Sequence, residues 1–128
     1  MTAAEVAGRI GIAAALAVSG ISHAYLYIHG YQHVPDIGTA FAVQASVSFA
    51  IAALILVGGP EWLRWAAAMV AGGSLVAFAL SRTVGLFGFS ERGWQPSPHA
   101  VVSLIAELLI VALWAAHLAH RSRLGARE

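Results

Sequence analysis

An all-α bundle of four membrane-spanning helices, with both termini in the cytoplasm, is the fold this chain predicts, and three observations predict it. Of its 128 residues, 59% are hydrophobic and 10% are charged, with a mean hydropathy of +0.77. Soluble domains carry about 25% charged residues. Four apolar runs approach the roughly 20 residues that cross a bilayer core. The basic residues, all seven of them arginine, are distributed unevenly between the two ends of those runs.

The first run covers about residues 6–28 and the second 38–57, with a loop at 29–37 between them. A cleaved leader ending in Ala17-Val18-Ser19-Gly20 competes with a first span. The apolar stretch continues through Ile28, however, and Arg9 is its only basic start, so a retained helix is expected. The third run, 62–80, follows a tight turn at 58–61, where Gly58, Gly59 and Pro60 end one helix and open the next. The fourth, 100–118, follows a longer loop at 81–99. The whole chain, 1–128, reads as one domain. Four crossings put Arg9, Arg64, Arg121, Arg123 and Arg127 on one side and Arg82 and Arg92 on the other. Five against two places both ends in the cytoplasm of an inner (plasma) membrane protein.

Composition also excludes. A net charge of +1 without a basic stripe argues against nucleic acid as a partner. The lack of cysteine removes disulfides, thiolate metal sites and cysteine catalysis. Small residues are dense in the first helix (Gly8, Gly11, Ala13, Ala17, Gly20) and the third (Ala68, Gly72, Gly73). They favour close helix packing over a specific homodimer seam, for no strict GxxxG motif lies in a clean apolar run.

Four polar residues stand out, one per run: His23, Gln44, Arg82 and Glu107. A charge near the middle of a membrane helix costs roughly 2.5–3.5 kcal/mol on insertion scales, so it needs a partner, a proton or a wet cavity. At 1.5 Å per residue, His23 lies roughly 7 Å from the outer end of its span, Gln44 near 9 Å and Glu107 near 10 Å. Arg82 sits just past the third run, with a stem long enough to reach into the bundle. All four fall in the outer half of the membrane, which predicts a shared site. The competing structural expectation is interhelical glue, worth ~0.6 kcal/mol per hydrogen bond, with Arg82 as the charge partner of Glu107.

Six histidines are many for this length. His29 and His33, four apart, with Asp36 and His99 make a possible N/O site for Zn or Cu(II). Gly30 and Pro35 interrupt the helical spacing, and no HExxH accompanies it. Haem is disfavoured, because only His23 lies clearly inside the membrane and a second axial ligand is missing. His117 and His120, beside Arg121, read as a boundary marker at a helix C-terminus. The loop 81–99, with Phe87, Phe89 and Trp94, reads equally as a lid over the polar cluster or as an interfacial belt.

The His of helix 1, the Gly38-x-x-Phe41-x-x-Gln44 start of helix 2, the Ser81-Arg82-Thr83-Val84-Gly85 run and the Glu of helix 4 resemble small four-helix membrane proteins of actinobacteria. That resemblance covers most of the chain and implies the fold and the polar positions, without an activity. The chain is also loosely similar to DoxX-like proteins in its four-helix plan and small-residue first helix, with Gln44 where those carry a Glu.

The first functional expectation is a polar outer-leaflet site for a small molecule or ion, with Arg82 suited to a quinone-like head group. The alternatives are an accessory subunit of a larger membrane complex, a small enzyme using His23 and Glu107 as acid and base, and transport through oligomers. Candidate partners are the lipid bilayer, another protein or a second copy of the chain.

Overall fold

A computed structural model describes residues 1–128 as four helices and no strand. They are α1 (Ala3–Ile28), α2 (Ile37–Leu56), α3 (Trp62–Arg82) and α4 (His99–Gly125), with a single 3-10 turn at Tyr31–His33. Each is long and apolar enough to cross a membrane.

Local chemistry sets the ends. Thr2 accepts a hydrogen bond from the Glu5 amide while Glu5 accepts one from the Thr2 amide, a reciprocal cap on α1. At the end of α2 the Gly59 amide donates to Leu54 and the Gly58 amide to Ile55, with Gly58 at φ 88°. That pair of bonds satisfies the last carbonyls of α2 and needs the left-handed backbone that glycine adopts freely. α4 runs past the expected end at 118, because its polar tail continues the helix beyond the apolar stretch.

The helices alternate up and down in ring order, α1 packing on α2 and α4, and α3 on α2 and α4. The termini and the α2–α3 turn therefore share one end, while the loops 29–36 and 83–98 share the other. Small residues set the spacing of α1: a Cβ on Gly11 would stand 3.0 Å from Leu113, and one on Gly20 would stand 3.1 Å from Phe49. A Cβ on Gly8, Gly72 or Gly73 would meet nothing within 4 Å.

The interior divides in two. Toward the termini it is dry, built on Ile12, Leu16, Ile51, Ile55, Leu63, Ala67 and Ile110. Arg9 donates to the carbonyls of Ile55 and Gly59 and so fastens α1 to the α2–α3 turn. Arg64, counted from sequence among the five arginines of one side, is only 5% exposed and donates to Glu61 at 2.7 Å. His117 is more than a boundary marker, since its Nε2 lies 2.5 Å from Glu61. Toward the loops, the interior is polar.

Candidate functional site

The polar half begins with spacing. Ser19 and His23 are four apart on α1, Gln44 and Ser48 on α2, and Ser103 and Glu107 on α4, so each pair shares one helical face. Each face turns inward: Ser19 and Ser48 are fully buried, Ser103 is 7% exposed and Glu107 is 3% exposed. Sequence reasoning found His23, Gln44 and Glu107 and missed the serines.

Glu107 is held by hydroxyls. Ser103 Oγ donates to its Oε1 at 2.8 Å and Ser19 Oγ donates to the same oxygen at 3.0 Å. The amide nitrogen of Gln44 donates to Ser19 Oγ at 2.9 Å. His23 is fixed by its Nδ1, 2.9 Å from the carbonyl oxygen of Ser19, and it meets Glu107 only through Ser103, whose Oγ lies 3.5 Å from that nitrogen. Ser74 of α3 borders the same space. One hydrogen-bonded chain thus joins α2, α1 and α4.

The expected Arg82–Glu107 pair does not form. Arg82 turns up into the following loop, where its Nε donates to the Gly93 carbonyl at 3.2 Å and a terminal nitrogen donates to the Gln95 carbonyl. Its other terminal nitrogen donates to Ser81 Oγ at 2.6 Å, and its guanidinium lies 3.9 Å from the Phe78 ring centre. The physical reason is position: Arg82 is the last residue of α3, within reach of unpaired loop carbonyls that match its planar fork.

Those contacts fold the loop 83–98 over the bundle mouth. Leu86 and Phe89 exchange two backbone hydrogen bonds of 2.8 Å, and the Glu91 amide donates to the Ser81 carbonyl. From the other loop, Tyr31 donates its hydroxyl to Glu91 at 2.5 Å. Burial, and then this bond to a carboxylate, push the Tyr31 phenol well above its usual range. Tyr31 also stacks on Phe41, whose ring meets the edge of His23, both with centres 4.9 Å apart. The aromatic residues of this loop part ways. Phe89 turns in toward Tyr31, while Phe87 and Trp94 are 71% and 60% exposed.

Beneath the lid lies a cavity of about 130 Å³, bordered by all four singled-out residues, His23, Gln44, Arg82 and Glu107. The wall is otherwise largely apolar, with Phe41, Phe78 and Phe89 contributing rings.

The second candidate set is not assembled. No three His, Cys, Asp or Glu side chains in the protein come together to hold a metal ion. His29 and His99 both stack on Tyr25, with centres 3.8 and 4.2 Å away, so the phenol ring stands between them. His29 Nδ1 is also held by the Tyr25 carbonyl. His33 lies exposed in the 3-10 turn and Asp36 is exposed in the turn before α2, while His99 opens α4 and borders the cavity.

Comparison of the chain with protein-family models, with curated proteins and with solved structures finds no match.

Proposed function

We propose that this is a multi-pass protein of the inner (plasma) membrane, with both termini in the cytoplasm, whose outer-half cavity binds a small molecule or ion. The single observation carrying this reading is the void itself. Side chains from all four helices converge on one space, and the buried carboxylate there rests on hydroxyls, with no cation beside it. Intramembrane ionisable groups of this kind mark ligand and ion pathways. A small, mostly apolar pocket with a few convergent polar groups is the usual form of a ligand site.

The accessory-subunit reading, with the cluster as glue, draws on the same Ser19 network. It explains the hydrogen bonds and leaves the cavity beside them without a purpose, because glue between helices works best in closed packing. A quinone-like head group loses the anchor that a free Arg82 offered, since the guanidinium is engaged by the lid. The relationship to actinobacterial four-helix and DoxX-like proteins is likewise our proposal, carried by the Ser81–Gly85 run and the helix-borne polar residues.

The absence of cysteine makes the test direct. Ser103→Cys is expected to react with a small membrane-permeant thiol reagent. Ile110→Cys, in the dry half, is expected to stay unreactive, and Val84→Cys, which is 85% exposed as valine, to react fully. A Ser103→Cys protein as inert as Ile110→Cys overturns the site and leaves the glue.

A further inference from the structure

The occupant's chemistry follows from the direction of the hydrogen bonds, and we infer that the cavity takes a small primary ammonium ion, an inference that rests on the ligand-site reading above. An ionised carboxylate only accepts. Ser19 and Ser103 therefore both spend their single O–H on Glu107. Ser19 Oγ keeps only lone pairs, and one of them takes the Gln44 amide N–H. That fixes the orientation of the Gln44 amide and leaves its Oε1 buried without a donor. His23 is set by the same logic. The Ser19 carbonyl accepts, so Nδ1 carries the proton, and in the neutral ring Nε2 is left as an acceptor.

Toward the cavity, Gln44 Oε1 is buried without a donor, His23 Nε2 is an acceptor, and the Glu107 carboxylate meets no cation within the bundle. The strongest donors nearby are already engaged, Arg82 by the loop carbonyls and Tyr31 by Glu91, while the Ser74 hydroxyl and the His99 ring on the cavity wall can accept as well as donate. The Arg82 charge at the rim is offset by Glu91. A donating occupant matches this set, and an –NH₃⁺ group brings three donors and the charge that a desolvated carboxylate calls for.

Size and wall chemistry separate an organic ammonium from a metal ion. A cavity of about 130 Å³ approaches the ~150 Å³ that holds a benzene ring. The wall is otherwise largely apolar, with Phe41, Phe78 and Phe89 among its residues, and suits the hydrocarbon part of an organic cation. A metal ion would instead ask for several converging carboxylates or imidazoles, and the protein assembles no such group.

The test compares three ligands of one shape, benzylammonium, benzyl alcohol and benzoate, titrated calorimetrically into the full chain in lipid nanodiscs, with empty nanodiscs as the partition control. Benzylammonium is expected to bind about tenfold or more tighter than benzyl alcohol, and benzoate not measurably. Gln44→Leu and Glu107→Gln are each expected to weaken benzylammonium and to narrow its lead over the alcohol. The wild-type ranking needs no variant, so a misfolded mutant does not decide the matter. Benzoate binding as tightly as benzylammonium, or no binding by any of the three, overturns the ammonium assignment. The reactivity of Ser103→Cys then reports separately whether the site itself stands.

Discussion

Ser19 Oγ lies 3.0 Å from Glu107 Oε1 across the α1–α4 interface, and it is the point where the buried carboxylate is tied to the rest of the bundle. The same oxygen accepts from Gln44, so one hydroxyl joins three helices.

Replacing that hydroxyl should therefore cost more than one hydrogen bond. Ser19→Ala strips a donor from Glu107 and leaves the Gln44 amide nitrogen unpaired, for an expected loss of about 1–3 kcal/mol. Ser46→Ala, which removes only an exposed bond to the Ala42 carbonyl on its own helix, should stay within about 0.5 kcal/mol of wild type. Reversible unfolding in mixed micelles measures both. Equal losses would mean that Ser19 is not the junction.

The lid depends on Arg82 in a way that lysine does not reproduce. The guanidinium reaches the Gly93 and Gln95 carbonyls at once, whereas an ammonium is a single point donor. Arg82→Lys should loosen the loop 83–98 while leaving the four helices in place. Trypsin added to the face of the bundle that carries this loop should then cut after the exposed Arg92 several-fold faster than in wild type, with helix content unchanged by circular dichroism. An unchanged cleavage rate would show that the loop holds itself closed without Arg82.

How legible this was depends on the kind of contact. His23, Gln44 and Glu107 were readable because a polar side chain in an apolar run is rare, and helical rise alone gave their common depth. The serines hid among the many small residues of the same helices, although their i,i+4 spacing to His23, Gln44 and Glu107 was the available signal. The partner of Arg82 was not readable, since it depends on how a sixteen-residue connection, 83–98, doubles back over the bundle. Glu61 and His117 are 56 residues apart and meet only after the ring of helices closes. The metal set failed for a similar reason: nothing in the spacing of His29 and His99 announces that Tyr25 stands between them.

Acid should weaken the end of the bundle nearest the termini. Burial raises the Glu61 carboxyl, but the His117 hydrogen bond and the Arg64 charge outweigh it, so the net effect is a value below the usual 4.5. A depressed carboxyl contributes stability that is fully present above its unfolded value and lost as pH falls through the lower folded one. Unfolding measured between about pH 6 and pH 3 should therefore show stability falling on the acid side of about 4.5, and His117→Ala should flatten that fall. An identical slope in the variant would assign the acid sensitivity elsewhere.

Gly38 is the backbone contact on which the placement of Gln44 rests. A Cβ there would stand 2.5 Å from the Tyr31 carbonyl oxygen and 2.9 Å from the Gln32 Cα, and these are backbone atoms that cannot swing aside. Gly38→Ala should thus push the start of α2 away from the 3-10 turn, at a cost of about 1–3 kcal/mol. Gly8→Ala, with nothing within 4 Å of the added carbon, should be neutral or slightly stabilising through its helix propensity. Because Phe41 and Gln44 follow on the first two turns of α2, the Gly38 variant should also weaken benzylammonium binding, which Gly8→Ala should leave alone. A Gly38→Ala protein with wild-type stability and binding would mean that α2 can shift without moving the site.

The assignment of sides is open to a clean measurement in a chain without cysteine. Val84→Cys in the lid and Leu124→Cys near the end of α4 both replace exposed residues, 85% and 51%, at opposite ends of the bundle. With both termini in the cytoplasm, a membrane-impermeant maleimide applied to intact cells should label position 84 and spare position 124 until the membrane is opened. The reverse pattern would turn the protein over and move the Glu107 cavity to the cytoplasmic half. It would also set the five arginines at the other end, Arg9, Arg64, Arg121, Arg123 and Arg127, against the usual charge rule. Two of them have structural duties that any topology must keep: Arg9 holds the α2–α3 turn and Arg64 lies buried against Glu61. The orientation signal therefore rests most heavily on Arg121, Arg123 and Arg127. Changing those three to Gln is expected to weaken the labelling asymmetry without disturbing the fold.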